Sequence, residues 1–61
     1  MKLREVRFVA PVLRPSGDMG PTLIAESMTI ERRGDTIVAT KDGKAVLYAW
    51  AQVLWALPVV D

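Results

Sequence analysis

The chain predicts an all-β fold of five antiparallel strands curled into a small barrel. Three observations carry this. "TIVATKDGKAVLYAW" sets two β-prone runs, residues 36–40 and 44–50, around strong turn residues. "LREVRFVAPVL" alternates, with Val6, Phe8, Ala10 and Val12 on one side against Glu5 and Arg7 on the other. Both faces of the hairpin are apolar, which a one-sided flat sheet does not show; such faces need a nearly closed sheet or an outer cover.

The elements follow in order. The first strand is the alternating run above. "RPSGDMGP" is loop, with two Pro, two Gly, Ser and Asp in eight residues. "TLIAESMTIE" is the second strand, with Met28 and Ile30 facing away from Thr29 and Glu31. Glu26 is out of phase with its neighbours, so a bulge is expected across residues 25–27. "RRGD" is a tight turn into the hairpin. Two loops suit "KDGK". A two-residue type I′ turn at Asp42 and Gly43 sets Lys41 opposite Lys44, and like charges across a ladder repel. A three-residue loop with a glycine bulge pairs Thr40 with Lys44, Val38 with Val46 and Thr36 with Tyr48. The second is the expectation. "WAQV" then makes a single helical turn at the corner, and "VLWAL" closes the sheet against the first strand, stopped by Pro58. The expected core is Val6, Phe8, Val12, Met28, Ile30, Val38, Val46 and one face of the closing strand.

Composition limits the rest. Sixty-one residues make one domain, 1–61, and so short a chain buries only roughly 60% of its unfolded surface. With Cys 0 and His 0 there is no disulfide and no zinc site of the usual kind. A hydrophobic content of 51% exceeds what so small an interior hides, which favours a protein partner or a homo-oligomer. The apolar run 45–60, broken by Gln52 and Pro58, is shorter than the roughly 20 residues of a spanning helix. It also follows a turn that demands a partner strand. "MKLREVRF" has no apolar targeting core. No membrane association is expected.

The strand order resembles the SH3-like barrel, with its long first loop, its distal hairpin and a 3₁₀ turn before the last short strand. The tail resembles that of short, mostly uncharacterised tailed-bacteriophage proteins. In these a "KDGK"-like hairpin precedes Pro-Trp-Ser-Asn-Val, an aromatic two residues on and a nearby Pro. Trp50, Val53, Trp55 and Pro58 match; Ala49, Ala51 and Gln52 depart from it. The resemblance implies a viral protein acting in the host cell cytoplasm.

The chain lacks the usual general base and the thiol nucleophile. Ser16 and Ser27 have no base beside them, turn chemistry explains Asp18 and Asp42, and "SGDMG" opens no phosphate-cradling helix. "RGD" at residues 33–35 reads as a turn. No catalytic residue, cofactor or metal is expected. An SH3-type polyproline groove needs early aromatics, and the first half offers only Phe8, which points inward.

What remains is a non-enzymatic protein-interaction module that docks on and modulates a host or viral protein. Tyr48, Trp50, Trp55, Arg32 and Arg33 are its candidate partner-binding residues, since aromatics and Arg dominate interface hot spots. Trp50 at the corner is expected to be the more exposed tryptophan and Trp55 the more buried. The alternatives are a virion structural or decoration protein, and a small-barrel nucleic-acid binder using Arg4, Arg7, Arg32 and Arg33. The second is weakened by the near-neutral charge, 8 basic against 7 acidic residues, and by Glu5, Glu31 and Asp35 beside those arginines.

Overall fold

The computed structural model describes residues 1–60. It is all-β and antiparallel: β1 (Lys2–Leu13), β2 (Met19–Ile24), β3 (Thr29–Arg33), β4 (Thr36–Lys41), β5 (Lys44–Ala49), a 3₁₀ turn (Trp50–Gln52) and β6 (Val53–Pro58). Strands lie in the order β2-β1-β3-β4-β5, and β6 pairs with β1. The 3₁₀ turn and the return of the last strand to the first are as the sequence predicts. Among the described residues no ladder joins β5 back to β6 or β2, so the sheet is not closed.

There are six strands rather than five. The expected bulge at residues 25–27 is a full turn at 25–28 that divides the stretch into β2 and β3. Glu26 is out of phase because it sits in that turn, exposed. The expected long loop is also shorter, since Met19, Gly20 and Pro21 belong to β2.

The β4–β5 hairpin takes the turn that charge repulsion argued against. Lys41 pairs with Lys44, and Thr40 with Ala45. Asp42 (φ 51°) and Gly43 (φ 79°) both lie in the left-handed region, the signature of a type I′ turn. That turn's twist matches the twist of the strands it joins. At a hairpin tip open to water, repulsion between two lysines is screened and small. Because one residue of register reverses a strand's faces, Ile37 opposes Tyr48 and Ala39 opposes Val46 on the inner side, while Val38 and Leu47 lie outside. Gly43→Ala is therefore expected to destabilise by about 1 kcal/mol, read as a lower midpoint in urea. No atom lies within 4 Å of an added Cβ there, so the loss would come from the backbone alone.

The buried core is Leu3, Val6, Phe8, Leu23, Ile30, Ile37, Ala39 and Tyr48. Val6, Phe8 and Ile30 are as expected; Val12, Met28 and Val46 are partly buried against that core, and Val38 is not in it. Leu3 joins Val6 on the inner side, three residues away, because the pairing of β1 with β6 slips between Leu3 and Glu5. Arg4 is the extra residue of that bulge. A second slip lies between Arg7, opposite Trp55, and Phe8, opposite Val53, and it brings Val53 and Ala56 of β6 against the core. β1 also parts from β2 between Arg7 and Val12, and its far end comes beside β5, where the Tyr48 hydroxyl donates to the Leu13 carbonyl.

Candidate protein-docking site

The residues proposed to bind a partner divide into two groups. Tyr48 is buried, its ring centroid 4.9 Å from that of Phe8. Trp50 is half-buried and packs against the core from the 3₁₀ turn, its backbone N–H donating to the Asp35 carbonyl at 2.8 Å. The Arg32 guanidinium carbon stands 3.7 Å from the centre of the Trp50 ring, a cation–π contact. Arg32 is held there from several sides. Its Nε donates to the Gly34 carbonyl at 2.9 Å, and its backbone N–H donates to the Met1 carbonyl at 2.8 Å. The Met1 amino group returns a bond to the Arg32 carbonyl. Arg33 pairs with Glu31, whose carboxyl it holds below the usual carboxylate range. Tyr48, Trp50 and Arg32 together close one end of the core.

Trp55 is elsewhere. It is 40% exposed, which reverses the expected order of the two tryptophans. The bulge at the start of β6 is the reason: it turns Val53 and Ala56 inward and leaves Trp55 and Leu57 outside. Opposed residues share a face, so Trp55, Arg7 and Thr22 form one outer row across β6, β1 and β2, and Leu57, Glu5 and Ile24 form the next. Leu54 at the bulge and Val59 beyond the strand are also exposed. Leu54, Leu57 and the open edge of β6 carry no motif in the sequence. The signal available was charge: residues 53–60 contain none.

Two other features complete the surface. A shallow groove of about 270 Å³ runs between β1 and β5, lined by Val12, Leu47, Tyr48, Ala49 and Gln52. The β1–β2 connection is clasped by Asp18, which accepts from the Arg14 guanidinium and from the Ser16 hydroxyl. The Arg14 side chain lies over Gly20, where an added Cβ would come 2.6 Å from its guanidinium carbon. Arg14 first, and then Ser16, lower the Asp18 pKa to about 2. An unfolded Asp titrates near about 3.9, so this clasp contributes stability above that pH and loses it as the pH falls toward 2. Asp18→Asn is expected to flatten the fall of the urea midpoint between pH 4 and pH 2. The change should be small, since the carboxylate is exposed and screened.

Among the described residues no group of three or more His, Cys, Asp or Glu is placed to hold a metal ion. No helix there is long and apolar enough to cross a membrane. No protein-family model, curated protein or solved structure matches the chain, so the reading of this surface rests on its own residues.

Proposed function

We propose that this is a non-enzymatic protein-interaction module of the phage type, docking on a protein of the host or the virus in the host cytoplasm. One observation carries the reading: β6 turns Trp55 and Leu57 outward along a strand edge that bears no charge. A soluble chain guards such an edge unless something covers it, and an exposed tryptophan with an exposed leucine beside it on the same strand face is a common anchor of interfaces. The tail's likeness to short phage proteins, at Trp50, Val53, Trp55 and Pro58, supports the viral part. The 3₁₀ turn between β5 and β6 and the pairing of β6 with β1 support an SH3-like reading of the layout, as an open form of that barrel.

The nucleic-acid alternative has less support. Arg32 is spent on Trp50 and the exposed Arg33 is paired with Glu31, which leaves Arg4 and Arg7 as the cations of that set with neither a ring nor an ion-pair contact among the described residues. Capture from bacterial lysate tests the proposal. Immobilised chain should retain a protein at moderate salt, and Trp55→Glu should lose it while keeping its β-sheet circular dichroism. Retention of nothing by the native chain would remove a host protein as the partner; retention that Trp55→Glu leaves intact would move the site off β6.

A further inference from the structure

Among the described residues three strand edges are open, those of β2, β5 and β6, and they differ in how they are guarded. β2 carries Pro21 within it and has Arg14 folded over Gly20. β5 begins at the doubly cationic tip of Lys41 and Lys44. Proline and lysine are the usual guards of an edge. β6 has neither along residues 53–57, and its single Pro58 lies at its end. We infer that the open edge of β6 is an interface with a second copy of this chain, paired antiparallel about a twofold axis at Ala56. The inference rests on the reading of β6 as a docking surface and names the partner.

The backbone sets the register. The Val59 N–H donates to the Lys2 carbonyl of β1 at 3.1 Å. Backbone groups point to alternate sides along a strand, so those of Leu57 and Trp55 also face β1, while those of Ala56 and Pro58 face the open edge. Pro58 has no N–H to leave unpaired there. Ala56 does, and placed opposite itself across the axis it exchanges two N–H···O=C bonds with the second copy.

Side chains and charge select the same axis. With Ala56 on it, Trp55 opposes Leu57 of the second copy, twice, in pairs that are not hydrogen-bonded. These are the closer pairs, with Cα atoms about 4.5 Å apart. Each outer row then reads Arg7, Trp55, Leu57 of the second copy, Glu5 of the second copy. Opposite charges flank the apolar pair at both ends. Moving the axis to Leu57 aligns Glu5 with Glu5 and puts Pro58, which has no N–H, into both central bonded pairs, whereas with Ala56 on the axis Pro58 falls only in the flanking pairs, opposite Leu54. Moving it to Trp55 aligns Arg7 with Arg7. Only the axis at Ala56 is both bonded and charge-complementary.

The chain has no cysteine, which makes the register readable by crosslinking. Trp55→Cys and Leu57→Cys chains, mixed and oxidised, should form a disulfide heterodimer. Neither alone should crosslink to itself, because Cα atoms about 4.5 Å apart suit a disulfide and the more distant pairs do not. Sedimentation of the native full-length chain should show a monomer–dimer equilibrium, and Ala56→Pro should raise its dissociation constant at least about tenfold. Should Ala56→Pro fail to fold, the cysteine pair still decides. Self-crosslinking of either variant to the exclusion of the mixed species would overturn this register. A native chain monomeric at several hundred micromolar would overturn the second copy altogether, and lysate capture that still depends on Trp55 would then show that the docking reading survives with a different partner.

Discussion

Phe8→Ala is expected to remove half or more of the chain's stability at 25 °C. Phe8 is 1% exposed and packs on Tyr48, with ring planes 43° apart. Cutting a large buried aromatic to alanine costs about 3–5 kcal/mol, because transfer and cavity terms add. A chain of this length has a total stability of about 3–9 kcal/mol, with no disulfide in reserve. The damage would also spread. The Phe8 ring holds Tyr48 in place, and the Tyr48 hydroxyl holds the far end of β1 through the Leu13 carbonyl. Far-UV circular dichroism and a urea titration check it. A cooperative transition within about 1 kcal/mol of the native value would show that the site collapses around the lost ring, and that the core is not centred where β1 crosses β5.

The parts of the fold that were legible in the sequence are those set by local chemistry. Asp42-Gly43 marks a hairpin whichever loop forms, "WAQ" between two apolar runs marks a corner, and the alternation from Glu5 to Phe8 marks a strand. What escaped was phase. Leu3 is buried because β1 gains a residue at Arg4 relative to β6, and no composition signal distinguishes that from simple alternation. The bulged hairpin loop would place Val38 in the core. The turn's twist outweighs the screened Lys41–Lys44 repulsion, and that one residue of register puts Ile37 and Ala39 in the core in place of Val38. The out-of-phase Glu26 marks a break in the strand, and a turn and a bulge disturb the alternation in the same way. Phase governs the site as well: the bulge opening β6 decides which tryptophan faces water.

That reversal has a measurable consequence. Trp50→Ala should destabilise the chain by about 2–4 kcal/mol, somewhat below the range for fully buried aromatics because the ring is only half-buried. Two contacts go with the ring: its packing on the core, and the support it gives the Arg32 guanidinium. Arg32→Ala leaves the ring on the core but removes the second contact together with the Nε bond to the Gly34 carbonyl, so it should cost less, about 1–2 kcal/mol for the cation–π contact, the exposed hydrogen bond and the apolar stem together. Trp55→Ala should change the stability of the dilute monomer by less than about 1 kcal/mol, since much of that ring already meets water. The order Trp50, Arg32, Trp55 is thus a statement about which aromatic closes the core and which is left for a partner. Urea midpoints of the three variants measure it, and acrylamide quenching of the two single-tryptophan chains gives an independent check, with Trp55 quenched more strongly in the monomer. Were Trp55→Ala to unfold the chain as deeply as Trp50→Ala, β6 would have its faces the other way round. Its outward apolar row would then lie in the core, and the docking surface would have to be sought in the groove beside β5.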